Sequence, residues 1–150
     1  MTVDEFNGVE VLMVEDSEED LQLAMRAFKK ANLLNRVHAV RDGTEALDYI
    51  FCQNSHATRR IEDTPRVILL DLKLPKVDGL EVLQRIKSDP RTKLIPVVVL
   101  TSSKEHRDLL ASYELGANSY IVKPVAFDGF AKAMQELGMY WMLLNNPPKL

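Results

Sequence analysis

Three observations predict an α/β fold: a five-stranded, doubly wound parallel sheet with helices on both faces. Short hydrophobic runs at Val11–Val14, Val67–Leu70, Val97–Leu100 and Tyr120–Val122 are mostly β-branched and too short for helices. Segments with apolar residues every three or four positions separate them, as amphipathic helices require. Each run also ends at a residue suited to phosphate or magnesium chemistry: Glu15 and Asp16, Asp71, Thr101, and Lys123 before Pro124. Ligands of open α/β sheets collect at the carboxyl ends of strands. These distant side chains are therefore expected to meet at one edge.

The elements follow in order. Residues 1–8 are polar and expected to be loose, and a strand is expected over 9–15. Ser17 and Asp20 form an S-x-x-D start signal for a helix over 17–31, with Leu21, Met25 and Phe28 as its apolar stripe. A strand over 36–40 leads to a helix over 43–52, where Ala46, Leu47 and Ile50 face inward and Cys52 is a small hydrophobe. Residues 53–64 lack periodicity and read as a surface loop. The strand over 66–71 is followed by a turn from Pro75 to Gly79 and a helix to Ser88, stopped at Asp89-Pro90 because proline cannot continue the backbone bonding. A strand over 95–100 precedes a helix over 104–115 with Gly116 as its left-handed cap. The strand over 119–122 leads into a last helix whose Phe127, Phe130, Met134, Leu137 and Trp141 step by three and four. Residues 145–150 carry two prolines and are expected to be an irregular tail, leaving one domain over 9–144.

Composition narrows the classes. The chain has 150 residues, 46% hydrophobic and 27% charged, which is ordinary for a globular domain. A net charge of −3 argues against nucleic acid and acidic membranes as partners. With Cys52 alone, no intrachain disulfide or thiolate zinc cluster forms. No apolar stretch is long enough to span a bilayer, and a cytoplasmic location is expected.

The acids are the informative part. Three carboxylates roughly 5 Å apart repel by about 3 kcal/mol per pair at an effective dielectric near 20, so on the order of 10 in all. That rivals the stability of a whole domain, so Glu15, Asp16 and Asp71 need protons or a cation. An all-oxygen donor set suits Mg²⁺. A carboxylate beside Mg²⁺ can accept a phosphoryl group as an acyl phosphate. The Lys123 ammonium and the Thr101 hydroxyl would then offset charge on the phosphoryl oxygens.

In order, Glu15-Asp16, Leu70-Asp71, Leu74-Pro75 with Asp78-Gly79, Thr101-Ser102 and Lys123-Pro124 resemble the receiver domains of bacterial two-component response regulators. The resemblance runs from Val9 to Trp141 and implies the flavodoxin-like strand order 2-1-3-4-5. It implies Asp71 as phosphoacceptor, with Glu15, Asp16, Asp71 and the Lys73 carbonyl binding Mg²⁺. It further implies Thr101 as switch hydroxyl, Lys123 as the family's lysine, Tyr120 as the aromatic that turns with the switch, and a cis Lys123–Pro124 bond. Glu15 replaces a commoner Asp; Ser102 stands where alanine or glycine is frequent, and Lys73 and Ser103 flank the phosphate pocket.

The implied partner is a sensor histidine kinase. The polar loop, the Leu70–Lys76 segment and the helix running into Tyr140 and Trp141 are similar to stand-alone regulators paired with phytochromes. A homodimer through the fourth helix, fifth strand and fifth helix is expected, with Met139, Tyr140, Met142 and Leu143 as extra apolar residues at the last helix end. A phosphate sink or phosphorelay intermediate is the alternative. An aspartyl-nucleophile phosphatase of the haloacid-dehalogenase type is disfavoured, because Lys73 stands two residues after Asp71 where an acid/base Asp is needed. A flavin or nucleotide binder lacks its glycine-rich phosphate loop. His38, His56 and His106 lie in different expected elements and read as solvated or structural.

Overall fold

Every expected strand and helix is present in the computed structural model, which describes residues 10–123 and 127–141 except the side chains of Asn35, Phe127 and Met139. The expectations for residues 1–8, the Lys123–Pro124 bond, Met142, Leu143 and the 145–150 tail lie outside the described residues. The strands are β1 (Val11–Val14), β2 (Val37–Val40), β3 (Val67–Leu70), β4 (Val97–Thr101) and β5 (Ser119–Val122). The helices are α1 (Glu18–Lys30), α2 (Gly43–Ile50), α3 (Gly79–Ser88), α4 (His106–Glu114) and α5 (Phe127–Met139). All strand pairs are parallel, in the order β2-β1-β3-β4-β5, as the receiver resemblance implies.

Strand alternation divides the core. Leu12, Val14, Ile68, Leu70, Val97 and Val99 point to the layer of Ala46, Leu47, Val82, Leu83 and Ile86 from α2 and α3. Val11, Met13, Val67, Leu69, Val98 and Leu100 point to the opposite layer, against Leu21, Ala24 and Phe28 of α1 and Phe130 and Met134 of α5. A central parallel strand buried on both faces therefore reads as a continuous apolar run. Each fully buried aliphatic side chain contributes roughly 1.5–3 kcal/mol.

Helix ends are set locally. Ser17, Asp42 and Asp78 each accept the backbone N–H three residues on, from Asp20, Glu45 and Glu81 at 3.3, 2.7 and 3.0 Å. Gly116 closes α4 at a φ of +104°, as expected. The expectation that Cys52 lies on α2 is not met. The helix stops at Ile50, and Cys52 adopts a φ of +56° while the N–H groups of Cys52 and Gln53 donate back to Tyr49 and Asp48. That is the closure usually given to glycine. The loop expected over 53–64 contains one 3₁₀ turn, Asn54–His56.

Register positions the carboxyl edge. Val14 sits opposite Leu70, so Glu15 and Asp71 leave the sheet side by side, with the Asp71 N–H donating to the Val14 carbonyl at 3.1 Å. β4 runs one residue past its expected end because Thr101 pairs with Val122. Lys123 follows directly, its N–H on the Thr101 carbonyl at 2.8 Å.

Candidate functional site

Lys123 is the hub of this edge. Its ammonium donates to Glu15 Oε1 at 2.6 Å, Asp20 Oδ2 at 2.9 Å and Asp71 Oδ2 at 3.1 Å. The side chain is only 9% exposed. Burial alone would make the ammonium more acidic, but the bonds to Glu15 and Asp20 and the charges of Asp71 and Glu15 outweigh it and raise its pKa. Lys123 is thus held as a cation pointing into the acids.

Glu15 is 1% exposed. Its second oxygen accepts the Ser17 N–H at 3.2 Å. Burial pushes its carboxyl up to about 7; the bond from Lys123 lowers it, and the neighbouring charge of Asp71 raises it again. One ammonium shared among three carboxylates does not offset the loss of water around the deepest of them. Asp71 is also buried, and its Oδ1 accepts the Lys73 N–H at 3.3 Å. Asp16 is exposed at the rim. Glu15, Asp16 and Asp71 each present an oxygen within 4.8 Å of the others.

This donor set fits a hard divalent cation. It is all oxygen, one member faces solvent where water could complete the coordination, and burial raises the pKa of the deepest carboxyl, a cost that a cation among the acids would offset.

Thr101 is fully buried, and its Oγ1 accepts the Ser103 N–H at 3.3 Å. The Tyr120 hydroxyl donates to the carbonyl of that same Ser103 at 3.0 Å. Burial raises the pKa of that phenol above its ordinary value, although the bond to Ser103 opposes the shift. The Ser103 side chain donates to Asp108 and accepts the Glu105 N–H at 3.3 Å, so the residue is fixed from both sides. Thr101 and Tyr120 are therefore joined through one residue. Ser102 is exposed.

The structure brings together Glu15, Asp16, Asp71 and Lys123, with Lys73 bonded to Asp71 through its N–H and Thr101 at the end of the neighbouring strand. Asp20 is the residue that sequence reasoning did not assign to the site. The S-x-x-D signal counted it only as a helix-start residue, whereas its carboxylate turns to Lys123. Its place on the first turn of α1, one turn past Glu15 and Asp16, was the available signal.

Residues 11–135 match the profile described as the response regulator receiver domain. This chain belongs to that family. A probable methanogenesis regulatory protein of Methanothrix harundinacea, FilR2, is 41% identical over 92% of this chain and 86% of its own length. The response regulator Rcp1 of Synechocystis is 40% identical over 88% of each chain. Its Mn²⁺-bound crystal structure superposes with a TM-score of 0.85 at 38% identity, covering 92% of this chain and 97% of that one. The phosphorylated cyanobacterial phytochrome response regulator RcpA gives a TM-score of 0.85 at 38% identity, covering 92% and 96%. Receiver domains bind a divalent metal and interact with histidine kinases, and as a class they act as phosphoacceptors. Among the described residues, no helix is long and apolar enough to cross a membrane.

Proposed function

We propose that Asp71 accepts a phosphoryl group from the phosphohistidine of a sensor kinase and that the receiver then relays this charge by changing its protein contacts. The observation carrying this is the Lys123 ammonium, 3.1 Å from an Asp71 carboxylate that is buried beside Glu15 and Asp16. A carboxylate oxygen of Asp71 attacks phosphorus, the phosphorus–nitrogen bond breaks, and the imidazole leaves, taking a proton from water. Glu15, Asp16, Asp71 and the Lys73 carbonyl would hold Mg²⁺, which would supply positive charge to offset that of the phosphoryl group. Lys123 neutralises another oxygen and orients Asp71, which Asp20 and Glu15 help by fixing the ammonium from the other side. Thr101 donates its hydroxyl to a phosphoryl oxygen once its side chain turns away from the Ser103 N–H that it accepts.

The readout follows from that exchange. Phosphorylation adds about two negative charges to Asp71. Movement of Thr101 disturbs Ser103, and Ser103 holds the Tyr120 hydroxyl. Tyr120 is then free to turn inward, altering the surface made by α4, β5 and α5. That surface already exposes Leu110, Tyr113 and Val122, which suits a homodimer. RcpA, named as a phytochrome response regulator, supports a phytochrome-type kinase as donor, and the net charge of −3 supports contacts with protein rather than nucleic acid. The receiver unit spans 9–144, between a 1–8 segment and a 145–150 tail.

Incubation with labelled acetyl phosphate and Mg²⁺ tests the first step. The wild type should retain one alkali- and hydroxylamine-labile phosphoryl group, and Asp71→Asn should take up none. Equal labelling of the variant overturns the assignment, and continuous phosphate release would favour a phosphatase. Tyr120→Ala should uncouple phosphorylation from dimerisation or partner binding, measured by light scattering and pull-down; unchanged coupling would remove Tyr120 from the relay.

A further inference from the structure

His38 and His56 were expected to be scattered, but the fold brings them together. His38 lies on β2, on the face covered by α2, and Glu45 is in the first turn of α2. His56 ends the 3₁₀ turn after α2. The two imidazoles meet edge to face with centroids 5.8 Å apart, and both rest on Tyr49, at 4.5 and 5.0 Å. Ring nitrogens of His38 and His56 and a carboxylate oxygen of Glu45 all lie within 4.8 Å of one another. His38 Nε2 is buried and has no hydrogen-bond partner, the one such side-chain atom among the described residues. A buried polar nitrogen without a partner costs about 1–3 kcal/mol.

We propose that His38, Glu45 and His56 form a second metal site, distinct from the acidic cluster and suited to Zn²⁺ or a similar first-row divalent ion. Two imidazoles and one carboxylate are a recurrent zinc donor set, with a fourth position left for water or another ligand. Metal–donor bonds of about 2.0–2.2 Å in tetrahedral geometry place donors roughly 3.4 Å apart. Side-chain rotation at the partly exposed Glu45 and His56 can close the remaining gap. Stacking on Tyr49 already orders the His38 ring, so part of the ordering entropy is spent before an ion arrives.

Chemistry separates the two sites. Imidazole nitrogen selects zinc-like ions, whereas Mg²⁺ prefers the all-oxygen cluster. Burial, together with the charges of His56 and Arg59 and against that of Glu45, holds His38 below the ordinary histidine pKa. An ion here would tie the loop after α2 to edge strand β2.

Co²⁺ is the probe, because its visible absorption reports a four- or five-coordinate site. It is added to tag-free protein in excess Mg²⁺, so that the acidic cluster is occupied. The wild type should bind one equivalent with a visible band that Zn²⁺ removes and further Mg²⁺ does not. Asp71→Asn should keep the band; His56→Ala and His38→Gln should lose it. His56 lies on a surface turn, so its variant separates ligation from folding, and circular dichroism should be unchanged. Zn²⁺ should raise the thermal midpoint of the wild type and not of His56→Ala. No band in the wild type, or the same band in a folded His56→Ala protein, overturns the site.

Discussion

Glu15→Gln should stabilise the metal-free protein above neutral pH while weakening its hold on Mg²⁺. Burial lifts the Glu15 carboxyl from 4.5 to about 7. The folded state therefore keeps a proton that the unfolded chain has already released. This contribution to stability is complete below the unfolded value of 4.5 and is lost as pH rises through about 7. At about 1.4 kcal/mol per unit, it amounts to roughly 3 kcal/mol. Glutamine never ionises, and its amide oxygen still accepts from Lys123. Its NH₂ cannot accept the Ser17 N–H that Glu15 Oε2 accepts at 3.2 Å, a loss of about 1 kcal/mol. The variant should thus be more stable by about 2 kcal/mol near pH 8 in chelating buffer.

Urea denaturation in EDTA at about pH 5 and pH 8 measures this, as the difference between variant and wild type. The difference isolates Glu15, because His38 contributes the opposite slope: its lowered pKa makes stability fall as pH drops below the ordinary histidine range. The advantage of the variant should grow by about 2–3 kcal/mol across that interval. Mg²⁺ should abolish most of the wild-type slope, because the ion takes the place of the proton, and should stabilise the variant less. A difference that stays flat from pH 5 to pH 8 would refute the claim that buried, undercompensated charge sets the behaviour of this site.

Two further outcomes follow from local geometry. Pro90 has no N–H for the Ile86 carbonyl at the end of α3, and the buried Thr92 hydroxyl supplies the bond instead, at 2.7 Å; Thr92→Val should cost about 1–3 kcal/mol by urea denaturation. A Cβ on Gly79 would lie 2.3 Å from the Asp71 carbonyl oxygen and 2.5 Å from Leu72 Cα; Gly79→Ala should displace the β3–α3 loop, lowering both the melting temperature and the rate of Asp71 labelling.

The strands were legible because parallel strands buried on both faces leave unmixed runs such as Val67–Leu70 and Val97–Leu100. Acids, threonine and lysine at the strand ends were legible for the same reason, since the sheet edge inherits whatever follows the run. Local signals failed where one residue serves two contexts. Asp20 sits in a helix-start pattern, but its partner Lys123 is 103 positions away and visible only after folding. The end of α2 was missed because a left-handed closure at Cys52 carries no glycine to announce it. His38 and His56 belong to different elements, and nothing in their spacing reveals that Tyr49 gathers both rings.

The charge arrangement at the edge argues for use rather than stability. Glu15, Asp20 and Asp71 surround a single ammonium, with Asp16 exposed at the rim, and burial holds the carboxyl of the deepest of them well above its ordinary range. Buried ion pairs seldom outperform well-packed apolar residues of the same size, and an unequal group does worse. A core chosen only for stability would not keep this group at the ends of strands that are otherwise wholly apolar. What the imbalance provides is a pocket with an unmet need for positive charge, in which adding or removing a doubly charged phosphoryl group shifts the balance by several kcal/mol. On the proposed reading, the path outward begins at the fully buried Thr101 and passes through Ser103, which is bonded to both Thr101 and Tyr120.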